Sequence, residues 1–284
     1  MSKGVVVTGA SSGLGLATAV ELARVGFVTF GTVRRPEDGA ALSAAGVVPV
    51  RMDVSDASSI AVAQAAVREG LAGRPLVGLV NNAGMPAAGP IELLPLDELR
   101  RVLEVNLIGQ VAVTQAFLPL LRAAPGGRII NMSSVAGRAV LPFLGPYAAS
   151  KFGLEAISDA LRRELAPSGV RVVVIEPGNI QSKIWDKVEA MDISRYRGSP
   201  YERALDRVRE AALKGGREAP PATLVARAVL RALTARRPPI RVVVTRHSWV
   251  DALLTRLPDR ILDWLIVRMV WGAARKSERG SRNV

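Results

Sequence analysis

A glycine-rich loop between a short apolar run and a helical segment constrains the fold of this chain more than any other feature. The loop reads TGASSGLG over residues 8–15 and follows the run VVV at residues 5–7. Glycine allows positive φ angles and lets a pyrophosphate approach the backbone, and the N-terminus of the next helix adds free N–H groups and a favourable dipole. The pattern predicts the first βαβ unit of a dinucleotide-binding fold, although a structural turn would use the same residues. The predicted cofactor contacts in this loop are Gly9, Ser11, Ser12, Gly13, Leu14 and Gly15.

The rest of the chain alternates short Val- and Ile-rich runs with longer helical segments. The predicted strands are residues 5–8, 27–33, 47–52, 76–80, 128–132, 170–175 and 242–245; the predicted helices are 13–25, 55–69 with Ser55 as N-cap, 96–122 and 147–166. Continuous apolar runs are typical of strands buried on both faces, and helices between strands imply right-handed crossovers. We therefore predict an α/β fold: a Rossmann-type doubly wound parallel sheet with helices on both faces.

The length of 284 residues and the hydrophobic fraction of 49% suit one large domain. We expect a single dinucleotide-binding catalytic domain over residues 1–284. Within it we expect an irregular substrate-loop region at residues 180–220 and a small C-terminal helical extension at residues 246–274.

The composition argues against several functional classes. The chain has no cysteine and one histidine, His247, so neither a disulfide framework nor a metal site built on thiolates or a histidine cluster is expected. The formal net charge of +13 favours anionic ligands or an anionic membrane surface. We expect no nucleic-acid partner, because the basic residues are spread along the chain and do not alternate with aromatic residues. Finding neither a secretory leader nor an uninterrupted run of about 18 apolar residues, we expect a cytoplasmic protein.

One predicted helix carries a tyrosine and a lysine at a spacing that suits proton transfer. Tyr147 and Lys151 are four residues apart, so they share one face of the helix. A free phenol has a pKa of about 10, which is too high for efficient acid–base work near neutrality. A nearby cation favours the phenolate, so we expect Lys151 to lower the pKa of Tyr147.

These motifs together resemble the short-chain dehydrogenase/reductase family, in its classical form. The resemblance covers about residues 3–185 and rests on Gly-x-x-x-Gly-x-Gly at 9–15, Asn81-Asn82-Ala83-Gly84, Asn106, Ser134 thirteen residues before Tyr147, Tyr-Ala-Ala-Ser-Lys at 147–151, and Pro177-Gly178. It implies that the catalytic residues are Asn106, Ser134, Tyr147 and Lys151. It further implies cofactor contacts from Asn81, Ala83, Gly84, Tyr147, Lys151, Pro177, Gly178 and Ile180, and a homodimer or homotetramer formed through the two long helices.

Two of these implied roles have competitors. Ser134 would hydrogen-bond the substrate oxygen, and Ser133 is the alternative, although the thirteen-residue spacing selects Ser134. Asn106 would hold a water that links Lys151 to solvent; alternatively, it is an amide that bends its helix.

The end of the second predicted strand points to the phosphorylated dinucleotide. Enzymes of this fold that prefer NAD usually place an acid there, to hold both ribose hydroxyls. Here Val33 takes that place and Arg34 follows it, and a guanidinium suits a 2′-phosphate. Ser11 would add a hydroxyl, so we predict NADP(H), unless the arginines at 34 and 35 are ordinary surface charges. Asp53 and Val54 resemble the family's adenine-contacting pair, with Asp53 as a plain helix-start residue being the alternative.

The substrate side is less specific. Leu141, Phe143 and Trp185 are apolar and would join Ser134 and Tyr147 in binding substrate, unless they only pack the core or the covering loop. An apolar lining suits a lipophilic alcohol or ketone, such as a steroid, a retinoid or a long-chain compound. The run TVRRP at 32–36, together with LPF at 141–143, resembles the 17β-hydroxysteroid and retinol dehydrogenase branch. The alternatives are a 3-oxoacyl-carrier-type reductase and a non-catalytic nucleotide-sensing protein of the same fold.

An apolar helix with basic neighbours is predicted over residues 257–271. Such a helix could lie on a membrane surface, which would suit a lipophilic substrate. Packing against its own domain or a partner subunit is the alternative.

Overall fold

The computed structural model describes residues 2–246 and 257–272, and within them a seven-stranded sheet forms the centre of the molecule. All its strand pairs are parallel, in the order β3-β2-β1-β4-β5-β6-β7. The strands are β1 (Gly4–Val7), β2 (Val28–Val33), β3 (Val48–Arg51), β4 (Leu76–Asn81), β5 (Arg128–Met132), β6 (Arg171–Pro177) and β7 (Arg241–Val244). The predicted doubly wound parallel sheet is confirmed.

Helices cover both faces of the sheet. They are α1 (Gly13–Arg24), α2 (Ala40–Ala44), α3 (Ala57–Gly70), α4 (Leu96–Leu103), α5 (Gly109–Ala123), α6 (Gly145–Glu164), α7 (Ile184–Glu189), α8 (Glu202–Arg217), α9 (Thr223–Thr234) and α10 (Asp259–Trp271). Side chains of a strand alternate between faces: Val5 and Val7 pack with α1 and α9, whereas Val6 packs with α3 and α5. Each face of the central strands therefore has its own apolar core.

Several predicted element boundaries differ from the structure. Asp56, and not Ser55, caps α3, because its carboxylate accepts hydrogen bonds from the backbone N–H groups of Ser58 and Ser59. The predicted helix 96–122 consists of α4, a π-helical turn at Glu104–Ile108 and α5. Helices α2 and α9 have no counterpart in the sequence prediction.

The region 180–220, which was expected to be irregular, contains α7 and α8. Helix α8 is amphipathic, and Ala204 and Leu205 on its inner face are buried with Phe143, Tyr196 and Val270. A loop assignment was wrong because the apolar residues of α8 are few and find their partners far away in the sequence. The region 182–217 is called the lid below.

Of the predicted C-terminal extension, helix α10 is present and packs against α8. Residues 247–256 and 273–274 of that extension, including His247, lie outside the described residues. Arg207 Nη1 donates a hydrogen bond of 2.8 Å to the carbonyl of Val270. Helix α10 is thus attached to the lid.

The continuous helical run Leu96–Ala123 is long and apolar enough to cross a membrane, judged by length and composition alone. Core helices of water-exposed proteins pass the same test. Here α5 packs on β4 and α3, and α4 packs on α6.

Candidate active site

The motif residues meet at the carboxyl-terminal edge of the sheet. The strand order reverses direction between β1 and β4, which creates the crevice where open α/β sheets bind ligands. The segments that reach this edge are the glycine loop after β1, Arg34 after β2, Asp53 after β3, Asn82 after β4, Ser134 after β5 and Gly178 after β6.

The glycine loop forms a cradle at this edge. Gly9 has a φ of 63°, and a Cβ placed there would lie 2.8 Å from the Cα of Ala83. A Cβ on Gly15 would lie 2.4 Å from the carbonyl oxygen of Gly9. Ser12 is the N-cap of α1 and its side chain makes no capping hydrogen bond, so the first N–H groups of the helix point to the crevice side without a side-chain acceptor. This cradle fits the pyrophosphate of a dinucleotide.

Asn82 and Thr8 hold the cradle in place, and the sequence prediction did not select either one. Asn82 Nδ2 donates to the carbonyls of Thr8 (2.8 Å) and Gly9 (3.1 Å). In return, the backbone N–H groups of Asn82 and Ala83 both donate to Thr8 Oγ1, at 2.9 and 2.8 Å. The signal was available in the sequence, since Asn82 stands inside the quoted Asn-Asn-Ala-Gly motif.

Asn81, by contrast, faces the interior. Its Nδ2 donates to Thr114 Oγ1 at 2.8 Å and to Asn131 Oδ1 at 2.9 Å. Its side chain is 1% exposed and therefore supports the end of β4 from below. A cofactor contact from the Asn81 side chain is not what this geometry favours.

The two arginines after β2 have different surroundings. Both are exposed. Arg35 is engaged with Asp38 through two hydrogen bonds of 3.1 Å. Arg34 makes no ion pair within residues 2–246 and 257–272, while Val33 before it is buried. Arg34 is the guanidinium that stays available beside the crevice.

Asp53 follows β3 and is not the helix cap. Its Oδ1 accepts hydrogen bonds from the N–H and the hydroxyl of Ser55, at 2.9 and 2.6 Å, and these bonds lower the pKa of its carboxyl group. The neighbouring Val54 is buried, and its carbonyl lies under α5, where a Cβ on Gly109 would approach it to 2.6 Å. The carboxylate of Asp53 is therefore ionised and fixed by its own turn.

The serine, the tyrosine and the lysine come together where β5 and α6 meet. Ser134 begins the turn after β5, and its Oγ donates to the carbonyl of Pro177 at 3.3 Å. The Ser134 side chain also interacts with the hydroxyl of Tyr147. Lys151 Nζ lies 5.7 Å from the centre of the Tyr147 ring and donates to the carbonyl of Met132 at 2.8 Å. Ser133 points away, with its Oγ buried near Gly137, so the geometry favours Ser134 over Ser133.

Burial controls the pKa values of this group. Burial raises the pKa of the Tyr147 phenol, and the hydrogen bond with Ser134 offsets part of that rise. Burial lowers the pKa of Lys151 to about 8, against the opposing charge of Glu155. The expected lowering of the Tyr147 pKa by Lys151 is not found in the chain alone. Desolvation of the phenol raises this pKa, and Ser134 is the group that opposes the rise.

Asn106 lies in the π-helical turn between α4 and α5 and is fully buried. Its Oδ1 accepts from the N–H of Met85 at 2.8 Å, and its Nδ2 donates to the carbonyl of Met85 at 3.0 Å and to Ser150 Oγ at 3.1 Å. Ser150 Oγ in turn donates to the Tyr147 carbonyl at 2.6 Å. The helix is distorted at Asn106, as the alternative interpretation predicts, and the water-holding role stays a prediction. Gly84 is close by, since a Cβ there would lie 3.3 Å from Asn106 Oδ1.

The segment after β6 leads from this edge of the sheet into the lid. Gly178 donates its N–H to the carbonyl of Val244 at 3.0 Å, and Ile180 is buried. Trp185 Nε1 donates to the carbonyl of Ile180 at 2.8 Å. The Trp185 ring lies against Gly216 of α8, where a Cβ would approach it to 2.3 Å. Trp185 thus packs within the lid, and its role as a substrate contact stays a prediction.

Phe143 is also a packing residue. It is buried, has a φ of 71°, and its ring contacts those of Tyr201 and Trp271 at centroid distances of 6.1 and 6.0 Å. The Phe143 ring thus packs in the lid core, and its role as a substrate contact stays a prediction. Leu141, two residues earlier, is 38% exposed and remains available.

The fold and the glycine cradle define a dinucleotide-binding α/β protein. The family model described as "short chain dehydrogenase" matches residues 3–192. Since this is more than half of the chain, the chain belongs to the short-chain dehydrogenase/reductase family, and it is an oxidoreductase of that family. The predicted family membership is confirmed; the likeness to the 17β-hydroxysteroid and retinol branch stays a prediction.

Known proteins of similar sequence and structure are oxidoreductases. The chain is 36% identical over 273 residues to the "NADPH-dependent 3-dehydrocapnine reductase" of Ornithobacterium rhinotracheale, covering 91% of this chain and 94% of that protein. It is 32% identical over 293 residues to the mitochondrial D-beta-hydroxybutyrate dehydrogenase of Bos taurus, covering 94% and 84%. A solved structure of an actinorhodin polyketide ketoreductase variant with NADPH matches with a TM-score of 0.73 and 28% identity, covering 87% and 97%.

Proposed function

We propose that this chain is an NADP(H)-dependent oxidoreductase acting on CH–OH groups, which interconverts a primary or secondary alcohol and a carbonyl on a lipophilic substrate. The observation that carries this proposal is the meeting of Ser134, Tyr147 and Lys151 beside the glycine cradle. The cradle accounts for a dinucleotide, and the buried phenol accounts for proton transfer at the same edge of the sheet.

The dinucleotide, when bound, supplies or accepts the hydride. In the direction of reduction, Tyr147 donates its proton to the oxygen of the carbonyl substrate. The raised pKa of Tyr147 suits this role, because the phenol stays protonated at neutral pH. Ser134 orients the substrate oxygen, since its hydrogen bond of 3.3 Å to Pro177 is long and readily exchanged.

Lys151 contributes positive charge close to the phenol. With a pKa of about 8 it is mostly protonated at neutral pH. An ammonium group beside the ring favours the phenolate that forms after the proton has left. The resemblance to the family also assigns Lys151 to the ribose hydroxyls of the dinucleotide.

The activity is tested with a panel of carbonyl compounds and alcohols, assayed with both dinucleotides. Tyr147→Phe is expected to lower kcat by a factor of about 10² to 10⁴ while the dinucleotide still binds. If no compound of a broad panel oxidises NADPH and Tyr147→Phe changes nothing in the cell, the chain is a nucleotide-sensing protein of this fold.

The preference for NADP(H) rests on Arg34, which stands where an acid would hold the ribose of NAD and makes no ion pair with any residue of the described ranges 2–246 and 257–272. The relative from Ornithobacterium rhinotracheale supports it by its NADPH dependence. We expect NADPH to bind at least about tenfold more tightly than NADH, a difference of about 1.4 kcal/mol. Arg34→Ala should remove most of this gap, whereas Arg35→Ala, the matched control engaged with Asp38, should keep it. Equal binding of the two dinucleotides in a fluorescence titration would reject the assignment.

A carrier-bound 3-oxoacyl substrate is the second candidate. The likeness to a polyketide ketoreductase and the net charge of +13, which attracts acidic carrier proteins, favour it. Comparing kcat/KM for free and carrier-linked forms of one 3-oxoacyl group decides between the two. The lipophilic proposal requires that the free ketone be the better substrate.

Helix α10 is our proposed site of peripheral membrane contact. Its apolar residues Trp264, Val267 and Met269 are 58, 53 and 64% exposed, and Arg268 lies over the ring of Trp264 at 5.5 Å. An exposed apolar face next to basic residues suits a headgroup layer. Co-sedimentation with anionic vesicles should fall on Trp264→Ala, and binding that is unchanged would reject this contact.

We also propose a cytoplasmic homodimer or homotetramer. Helix α6 exposes the apolar side chain of Phe152, at 43%, and this helix is part of the interface predicted from the family resemblance. Sedimentation of Phe152→Asp against the unchanged chain tests the interface.

A further inference from the structure

A cluster of charged side chains lies behind Lys151, on the side away from the glycine cradle. We call it the Arg241 cluster; its members are Arg138, Glu155, Asp159, Glu176 and Arg241. No step of the mechanism above uses any of them.

Arg241 of β7 is the hub of this cluster. Its Nε lies 2.9 Å from Glu155 Oε2 and 3.5 Å from Glu176 Oε1, and its Nη2 lies 3.0 Å from Asp159 Oδ1. Glu176 also pairs with Arg138 Nη1 at 3.1 Å. The side chains of Glu155 and Glu176 are only 10% and 2% exposed. Burying ions costs several kcal/mol each before pairing, so a cluster like this is weak evidence for stability.

The cluster adjoins both ends of the catalytic group. Glu155 stands one helical turn beyond Lys151 on α6, so the two buried side chains share one face of the helix. Gly137 packs against this face, since a Cβ there would lie 3.3 Å from Glu155 Cγ and from the carbonyl carbon of Lys151. Glu176 directly precedes Pro177, whose carbonyl accepts from Ser134.

The charged groups that face Lys151 come from four elements. Those on its own helix are Tyr147, Glu155 and, one turn further on, Asp159. The other three act through Glu155 and its ion-pair partners: Glu176 on β6, Arg241 on β7 and Arg138 after the Ser134 turn. Strand β5 contributes an uncharged acceptor, the Met132 carbonyl. The pKa of Lys151 is already lowered by burial to about 8, and Glu155 is the charge that opposes this shift. A small change of local field therefore decides how much of Lys151 is charged near neutrality.

We propose that Glu155, oriented by Arg241, is a positioning residue that keeps Lys151 protonated in its buried site. Arg241 holds one carboxylate oxygen of Glu155, while the other, Oε1, is buried and has no partner among residues 2–246 and 257–272. Glu155 is buried against Arg241, and in this proposal it acts through Lys151 alone. The inference rests on the proposed role of Lys151, but the charge state of Lys151 is measurable without turnover.

The test is a pH titration of lysine side chains by NMR on the cofactor-free full chain. The chain has six lysines, so the Lys151 signal is assigned by its loss in Lys151→Met. In Glu155→Gln the midpoint of Lys151 should fall by about half a pH unit or more, because the protonated form loses its counter-charge. Asp159→Asn is the matched control: it removes a carboxylate from the same arginine one turn further from Lys151, and it should leave the midpoint in place.

The alkaline limb of the kcat profile should move with the NMR midpoint. Glu155→Asp keeps the charge and should restore the limb most of the way, which a purely structural role would not predict. An unchanged Lys151 midpoint in Glu155→Gln, or an equal shift in Asp159→Asn, overturns the proposal. If the wild-type chain titrates as expected but turns over no carbonyl compound, the proposed function fails and the inference about Glu155 stands.

Discussion

The contact between Gly9 and Ala83 makes a quantitative test of how the glycine cradle is built. Gly9 and Gly46 have similar φ angles, 63° and 74°, so an alanine at either position carries the same left-handed penalty of about 1–2 kcal/mol. They differ in space: a Cβ on Gly46 has no neighbour within 4 Å, whereas one on Gly9 lies 2.8 Å from the Cα of Ala83. That neighbour is a main-chain atom, which moves little, so the overpacking costs about 1–3 kcal/mol more.

We therefore expect Gly46→Ala to lower the free energy of unfolding by about 1 kcal/mol and Gly9→Ala by about 3 kcal/mol. At this chain length these losses correspond to Tm decreases of about 2 and 6 °C. Denaturant unfolding of the two variants measures the difference. Gly9→Ala should also weaken dinucleotide binding at least about tenfold, because relieving the contact moves the cradle away from the β4 loop. If both variants lose equal stability and Gly9→Ala binds the dinucleotide normally, the close approach at Gly9 is not what shapes the cradle.

Three further outcomes follow from the geometry of the site. Asn82→Ala should lower the free energy of unfolding by about 2 kcal/mol, since two hydrogen bonds to the glycine loop are lost. It should also raise the KM of the dinucleotide, and an unchanged KM would show that these bonds do not hold the cradle. Lys151→Met should abolish turnover. It should also stabilise the cofactor-free chain at pH 7, because burying the protonated Lys151 lowers the free energy of unfolding, and this loss fades as pH rises from about 8 towards the unfolded pKa. Denaturant midpoints should therefore differ clearly from those of the unchanged chain at pH 7 and much less at pH 10. Trp185→Phe removes the hydrogen bond to the Ile180 carbonyl and part of the packing on Gly216. It should raise the substrate KM, and an unaltered KM would show that this bond does not order the lid.

The sheet and the edge that carries the site were predictable because their constraints are local. A cradle that needs positive φ at Gly9 and a close approach at Gly15 can be recognised from glycine spacing. A tyrosine and a lysine four residues apart on a helix face the same way, and Ser134 follows from its distance in sequence. These requirements act through backbone geometry, so they leave a pattern in the residue types themselves.

The lid was not predictable, because its residues are specified by distant contacts. Phe143 and Trp185 carry the same apolar character whether they line a pocket or pack a lid. Their contacts with Tyr201, Trp271 and Gly216 are visible only in the structure. The cap of α3 is Asp56 and not the predicted Ser55. The two could not be told apart from the sequence, because serine and aspartate cap a helix equally well. Residue chemistry without its neighbours cannot separate such alternatives.

The pKa values of the catalytic pair show why proton transfer here depends on charges that lie beyond the pair. Burial raises the pKa of Tyr147 and lowers the pKa of Lys151. Desolvation therefore drives both groups towards their neutral forms. A neutral pair suits proton donation to a carbonyl but opposes the reverse step, in which Tyr147 has to accept a proton as phenolate. Oxidation of an alcohol therefore needs a positive field at the phenol, from a protonated Lys151 and from the charge of the oxidised dinucleotide. Glu155 supports the protonated state of Lys151. In Glu155→Gln the alkaline limb of the kcat profile should therefore move to lower pH for reduction and for oxidation alike. At a fixed alkaline pH, the loss of rate should be greater for oxidation.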